Sequence, residues 1–283
     1  MKVLVLGSSG QIGEYLTEYL IGKGHEVFEY DIAKCEEQDL TQIPNLALDH
    51  LVKESDFVFF LAFDVGGSRY LKKYQHTFKF IDNNARMMVS VFGLLEKYNR
   101  RFIFASSQMA NMSYSPYGVL KTVGELYTKS LKGLTVKFWN VYGIEKDHEK
   151  SHVITDFIRR GFEEGQFEMM TDGTEERQFL YAEDCCRGLE TVMECYTDFK
   201  PEDALHLTSF HWNTIKEVAE IISGQFNIIE KYDVKIKPGT SKDSIQLDKR
   251  NEASNYIHGW WIPETTIDKG IAKVFNEMKK NYE

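Results

Sequence analysis

The chain opens on four consecutive apolar residues, Val3-Leu4-Val5-Leu6, and stops at a glycine. A short apolar run without alternation suits a strand covered on both faces, because neither side of it meets water. Apolar positions then recur at helical spacing through Ile12, Leu16, Tyr19 and Leu20, until Gly22 and Gly24 break the pattern. Residues 25–30 and 57–61 read as further strands, with a helical stretch near 46–52 between them. The pattern next predicts a long helix over 84–98, a strand over 102–105, a helix over 117–130 and a strand over 135–139. Strand and helix alternate throughout, which predicts an α/β fold: a Rossmann-type doubly wound parallel sheet with helices on both faces.

After about Gly143 the pattern loosens. Helical stretches fall near 153–164, 182–196 and 215–226, and short strand-like runs at 179–181 and 204–208. There is no internal repeat and no low-complexity linker. The second half therefore reads as a smaller C-terminal lobe packed on the first, with segments at about 178–184 and 204–209 returning to it.

Composition narrows the function classes. With 42% hydrophobic and 27% charged residues in 283, the chain has ordinary globular composition. A net charge of −9 argues against a nucleic-acid partner, while leaving room for an anionic small molecule held by a few local Arg or Lys side chains. The four cysteines, Cys35, Cys185, Cys186 and Cys195, form no C-x-x-C pair and have no histidines at metal spacing. They read as idle thiols in a reducing compartment, and no metal is expected. The first residues show no signal-peptide pattern, and no apolar run reaches membrane length, so the expectation is a cytoplasmic protein without a membrane partner.

The turn after the first strand is Gly7-Ser8-Ser9-Gly10-Gln11-Ile12-Gly13. Glycines here permit a tight turn and let backbone amides at a helix N-terminus approach a pyrophosphate. The second strand ends in Asp31, close to the ~20-residue offset at which an acid meets the adenosine ribose. A carboxylate there accepts hydrogen bonds from the ribose hydroxyls and repels a 2′-phosphate. Ile32 follows, so no Arg stands immediately after Asp31 to welcome that phosphate. The cofactor expected on residues 1–143 is NAD, with residues 144–283 forming mainly a substrate-binding lobe.

Tyr117 and Lys121 lie four residues apart, on one face of the predicted helix. A nearby ammonium and a positive nicotinamide favour phenolate, so Tyr117 can act as a base near neutral pH, and Lys121 can also hold the nicotinamide ribose. The preceding strand ends in Ser106-Ser107, which brings a hydroxyl to the carboxyl side of the sheet, where such folds bind ligands. Ser107 is the catalytic candidate; Ser106 reads as a polar strand end.

Together these features resemble the extended short-chain dehydrogenase/reductase family, the NAD-dependent nucleotide-sugar epimerases and dehydratases, over nearly the whole length. The resemblance implies a catalytic triad of Ser107, Tyr117 and Lys121. It implies cofactor contacts from Gly7, Ser9, Gly10, Gln11, Ile12, Gly13, Asp31, Asp39, Leu40, Leu61 and Ala62, besides Tyr117 and Lys121. Asn84 is similar to the family's helix asparagine. Asn140, in Trp139-Asn140-Val141-Tyr142-Gly143, and Arg177, in Glu176-Arg177-Gln178-Phe179, resemble residues that touch the substrate diphosphate, as Ser107 touches the sugar. A strand-end cap is the alternative for Asn140, and a surface pair with Glu175 or Glu183 the alternative for Arg177. Gly259-Trp260 and Pro263 resemble the family's G-W-x-P ending. Homodimers formed through the helices carrying Asn84 and Tyr117 are a further implication.

Departures from that pattern bear on the reaction. Gln108-Met109 stand where sugar dehydratases of the family carry Asp-Glu, and decarboxylating relatives also use a carboxylate there. The interval from Ser107 to Tyr117 is short. No second diphosphate-binding arginine is evident near residue 240, where Lys242 is the available replacement. Gly66-Gly67 read as a mobile loop beside the nicotinamide or as a plain turn. These features favour C4 epimerisation of a nucleotide-diphosphate sugar through a keto intermediate. An NAD(H)-dependent keto-sugar reductase or dehydrogenase is the alternative, and a non-catalytic NAD-sensing protein a more distant one.

Overall fold

In the computed structural model, residues 1–242, 245 and 252–283 are described. The first half runs β1 (Lys2–Leu6), α1 (Gln11–Gly22), β2 (Glu26–Tyr30), α2 (Leu46–Glu54), β3 (Phe57–Phe60), α3 (Ser68–Tyr74), α4 (Phe78–Tyr98), β4 (Arg101–Ser107), α5 (Pro116–Ser130) and β5 (Leu134–Phe138). The second half runs β6 (Asn140–Tyr142), α6 (Val153–Glu164), β7 (Gln166–Glu168), β8 (Glu176–Tyr181), α7 (Ala182–Glu194), β9 (Leu205–Leu207), β10 (Trp212–Thr214), α8 (Ile215–Gln225), β11 (Lys235–Lys237) and α9 (Ile267–Lys279).

The main sheet has six parallel strands in the order β2-β1-β3-β4-β5-β9. Alternation along β1 explains the two helical layers. Val3 and Val5 pack with Leu16 and Leu20 of α1 and Leu189 of α7 on one face. Leu4 and Leu6 pack with Leu48 and Val52 of α2 and Met88 and Val91 of α4 on the other. A strand so placed has no wet face, which is why its sequence shows no polar alternation. Order reverses beside β1, so the carboxyl ends of β1, β3 and β4 open onto the crevice where doubly wound sheets take ligands.

The smaller lobe buries its own aromatic core. Phe157, Phe167, Phe226 and Phe275 pack together with Val218 and Ile271. It carries a three-stranded sheet, β10-β8-β6, and the short pair β11-β7. Among the described residues no helix is long and apolar enough to cross a membrane.

Several boundaries differ from the sequence pattern for identifiable reasons. The long helix begins at Phe78, because Thr77 caps it by accepting the Phe80 N–H at 3.3 Å. Gly66-Gly67 lead into a helix the sequence pattern did not predict: Gly67 is the N-cap of α3 and donates its N–H to the Lys150 carbonyl at 2.8 Å. β4 runs on through Ser106 and Ser107. The final helix α9 contributes Val274 and Phe275 to the second core, although no sequence pattern singled it out.

Asn84 lies wholly buried inside α4. Its Oδ1 accepts the Asp64 N–H at 2.7 Å, and its Nδ2 donates to the carbonyls of Asp64 at 3.1 Å and Phe80 at 2.9 Å. One side chain thus pins the chain leaving β3 to the side of α4. Asn84→Ala leaves those backbone groups without their partner, at a cost of about 1–3 kcal/mol. Urea denaturation is expected to show a lower midpoint with an unchanged slope.

Candidate active site

The glycine turn is shaped by contacts that exclude a Cβ. Gly7 has φ +90°, and a Cβ on it would lie 2.7 Å from the Ala62 nitrogen. One on Gly13 would overlap the Gly7 carbonyl. The end of β1, the first turn of α1 and the chain after β3 therefore meet at backbone distance. α1 starts after Gly10, whose N-cap position supplies no side-chain cap. Its first amides point out of the turn with the positive end of the helix dipole. Ser8 Oγ and Gln11 Nε2 are buried polar atoms without a hydrogen-bond partner among the described residues. Open amides and unpaired buried donors at a helix start fit the pyrophosphate of a dinucleotide.

The other expected cofactor residues gather around this turn in part. Asp31 Oδ2 accepts the Ser9 N–H at 2.9 Å, which places the acid beside the glycine turn, and Oδ1 accepts the Ala33 N–H at 2.9 Å. Ile12 and Leu61 pack against the core under α1, while Ala62 packs on the opposite face of the sheet. Asp39 spends its carboxylate on its own turn, accepting the N–H and hydroxyl of Thr41 at 2.8 Å each. Leu40 is buried beside Tyr30 and Val52.

Ser107, Tyr117 and Lys121 come together at the end of β4. The turn Gln108–Asn111 follows β4 directly, and Ser107 Oγ caps it by accepting the Met109 N–H at 3.1 Å. α5 approaches so closely that a Cβ on Gly118 would overlap the Met109 carbonyl, which seats Tyr117 against the turn. Pro116 opens α5 and Ser115 caps it, so the helix starts one residue before Tyr117. Ser106 points away from Ser107 and hydrogen-bonds Glu125, which also pairs with Lys137 at 3.2 Å.

Electrostatics at this pair are set by burial. Tyr117 is 8% exposed and Lys121 3%. Burial pushes the Tyr117 phenol up to about 12, with the Ser107 hydroxyl opposing. It pulls the Lys121 ammonium down to about 7, with the Glu125 carboxylate opposing. Lys121 Nζ donates to the Ala105 carbonyl at 2.6 Å and lies 5.8 Å from the centre of the Tyr117 ring. Desolvation of the phenol therefore outweighs the opposing hydrogen bond of Ser107 in this environment.

Asn140 and Arg177 line one cavity of about 110 Å³ between α3 and the second lobe, and Lys242 lines it too. Asn140 Nδ2 donates to the Gln178 carbonyl at 3.3 Å, and Arg177 Nη1 donates to the Glu176 carbonyl at 2.8 Å. Glu175 accepts the Thr171 hydroxyl, and Glu183 pairs with Lys273 at 2.7 Å. Ile245 joins the two regions: it lines the cavity and packs in the cluster that holds Tyr117. The sequence reading missed His152, which lines the same cavity. Its Nδ1 lies 2.6 Å from Glu145 Oε1, and Glu145 Oε2 accepts the His152 N–H at 2.7 Å. Burial pulls the imidazolium down, but the Glu145 charge and hydrogen bond more than reverse this, so its pKa ends above the ordinary value. No local motif marks such a pair, because its two members lie seven positions apart across a loop.

Residues 3–206 match the NAD dependent epimerase/dehydratase family. The chain belongs to that family: it is an NAD-dependent enzyme of the extended short-chain dehydrogenase/reductase class. It is 21% identical to UDP-glucose 4-epimerase of Lactobacillus helveticus, over 100% of this chain and 99% of that one. It is 25% identical to UDP-N-acetyl-alpha-D-glucosaminuronate decarboxylase of Bacillus cytotoxicus, over 78% of this chain and 79% of the relative. The fold is similar to UDP-glucose 4-epimerase of Thermotoga maritima, with TM-score 0.82, 18% identity and full coverage of both chains.

The buried ammonium has a stability signature. Unfolded lysine titrates near ~10.4, and folded Lys121 near about 7. Between those values the unfolded chain binds more protons, so this group makes stability rise with pH through the window, and its full cost stands below about 7. Lys121→Met is expected to raise the melting temperature of the protein without added nucleotide. Calorimetry should find the gain, on the order of a few kcal/mol, largest at or below neutral pH and fading as pH rises through the window.

Proposed function

We propose that the protein epimerises a nucleotide-diphosphate sugar at C4. On this reading residues 1–143 hold NAD, and residues 144–283 hold mainly the sugar nucleotide. The observation that carries it is the arrangement at the end of β4. Ser107, Tyr117 and Lys121 converge there, while the buried Gln108 and Met109, neither of them acidic, occupy the turn that follows. The chemistry then needs one group that removes a hydroxyl proton and returns it, with no acid–base pair to expel water or carbon dioxide.

The glycine turn and the start of α1 hold the pyrophosphate, and Asp31 the adenosine ribose. When bound, NAD supplies a two-electron acceptor at the sugar carbon and gives the same electrons back. Tyr117 takes the proton of the C4 hydroxyl and later returns it to the alkoxide formed on the other face. Ser107 hydrogen-bonds the same oxygen and keeps it within reach of the phenol. Burial opposes ionisation of Tyr117, and the Lys121 ammonium favours it. Asn140 and Arg177 hold the diphosphate, with Lys242 supplying a second positive charge at the cavity. A turn of the keto sugar about its diphosphate anchor then exposes the opposite face. The similarity to UDP-sugar epimerases supports a UDP-sugar as substrate.

The test is incubation of the protein and NAD with UDP-glucose, UDP-N-acetylglucosamine and UDP-glucuronate, with products resolved by NMR. Inversion at C4 without net NADH supports the reading. A product formed with stoichiometric production of NADH indicates a dehydrogenase, loss of carbon dioxide a decarboxylase, and either outcome replaces it. Tyr117→Phe should lower kcat by about 10²–10⁴-fold with NAD affinity kept. Arg177→Ala should act mainly on KM for the sugar nucleotide. The opposite split between the two variants would exchange their roles.

A homodimer through α4 and α5 is part of the same proposal. These helices expose the large apolar side chains Phe78, Val89, Val119, Val123 and Leu126, which a subunit contact would cover. Sedimentation equilibrium is expected to give twice the 32.9 kDa of the chain. Leu126→Glu is expected to return it to the monomer mass, and a wild-type protein that sediments as a monomer contradicts the dimer.

A further inference from the structure

Phe63 holds a position that neither the glycine turn nor the triad explains. It follows Ala62, whose N–H donates to the Leu6 carbonyl at 2.8 Å. It precedes Asp64, whose backbone N–H and carbonyl are both held by the Asn84 side chain, at 2.7 and 3.1 Å. The Asp64 carboxylate is fixed as well, accepting the Tyr70 hydroxyl at 2.6 Å and Lys150 Nζ at 3.2 Å. The backbone on either side of Phe63 is therefore fastened to β1, α4 and α3, and its ring is presented from a rigid base.

That ring meets both members of the pair on α5. Lys121 Nζ lies 3.7 Å from its centroid, nearer than to the rings of Phe104 at 5.1 Å and Tyr117 at 5.8 Å. The ring also packs edge-on against Tyr117, with centroids 5.8 Å apart and planes at 76°. Lys121 has three donors, and among the described residues its one hydrogen-bond acceptor is the Ala105 carbonyl. An ammonium so poorly solvated gains from the negative face of an aromatic ring, and more than it would at the surface. The other charged or titratable groups around the pair are Glu125 on α5, itself paired with Lys137 of β5, and Asp64 beside Phe63, tied to Tyr70 and Lys150.

We propose that Phe63 is a positioning residue for this site: its ring holds the Lys121 ammonium beside Tyr117 and screens both from water. The consequence lies in protonation as well as geometry. Taking the ring away admits water to the ammonium and to the phenol. Water at the phenol favours its charged form, so Tyr117 loses its proton at lower pH, while at the ammonium the gain of water is set against the loss of the ring's negative face.

The role assigned here rests on the catalytic reading of Tyr117 and Lys121, so the experiment has one arm that needs turnover and one that does not. Phe63→Ala is compared with Phe63→Tyr, which restores the ring. NMR of protein labelled at tyrosine Cζ, with the Tyr117 signal assigned by its loss in Tyr117→Phe, follows the phenol directly. The Ala variant is expected to titrate about one pH unit or more below wild type, and the Tyr variant close to wild type. In turnover, the acid limb of the kcat profile should move to lower pH in the Ala variant. Its kcat should fall roughly tenfold or more with KM for the sugar nucleotide little changed, and the Tyr variant should recover both. A merely structural ring would lower stability and leave both titrations where they are, and that result overturns the proposal. Equal shifts in the Ala and Tyr variants also overturn it. If the Ala variant does not fold, Phe63→Leu takes its place: a smaller shift in the same direction supports the ring's role and an unmoved titration refutes it. Should Tyr117→Phe keep its turnover, the catalytic reading fails by itself, while the NMR arm still reports what Phe63 does to the phenol.

Discussion

The site depends on how closely three strand ends approach one another. At β1 the chain turns through Gly7 with φ +90°, and Ala62 after β3 lies against it so tightly that a Cβ on Gly7 would reach within 2.7 Å of the Ala62 nitrogen. Gly13 brings α1 onto the same turn. A side chain at either glycine would lift α1 from the sheet and carry its open amides away from the crevice. The next link is Asn84, which fastens Asp64 to α4 and so fixes the stretch that carries Phe63 toward α5. Gly118 then lets α5 settle on the turn after β4. Packing of backbone on backbone, at positions that tolerate no side chain, is what brings Ser107, Tyr117 and Lys121 into one place.

That packing sets the electrostatics. A lysine and a tyrosine four residues apart on an exposed helix would keep nearly ordinary acidities. Here the helix is pressed onto the sheet, both groups lose water, and each is driven toward its neutral form: the phenol up to about 12 and the ammonium down to about 7. The balance is held by few groups: Glu125 beside the ammonium and Ser107 at the phenol. A site built this way responds strongly to small charges placed within it, because little solvent remains to screen them.

The second lobe presents a different feature, a cavity lined by charged side chains of both signs. Its cavity is lined by Arg177, Lys242, His152 and Arg69, against Asp156 and Glu175. The acids are partly engaged within the protein: Asp156 with Arg159 at 2.9 Å, and Glu175 with Thr171. The chain as a whole carries −9, yet this cavity gathers cationic groups. A diffuse negative charge over the chain is thus compatible with a local gathering of cationic side chains.

The sequence by itself determined the sheet and the location of its crevice. Val3 to Leu6 and Phe57 to Phe60 could be read as doubly covered strands because burial on both faces leaves an unbroken apolar run. The glycine turn, Asp31, and the Tyr117/Lys121 spacing were legible because each satisfies a local rule: a turn, a strand end, one face of a helix. Asn140, Arg177 and Lys242 could be named from resemblance, but that they line one cavity is a property of how β6, β8 and the chain after β11 come together. Tertiary structure alone decided the rest. The start of α4 at Phe78, the helix at Ser68–Tyr74, the pairing of His152 with Glu145 and the place of Phe63 over Lys121 all depend on partners distant in the chain or on caps that short patterns do not reveal. Acidity was the property least visible in the sequence. It is fixed by which water is excluded, and exclusion of water belongs to the packed molecule rather than to any segment of it.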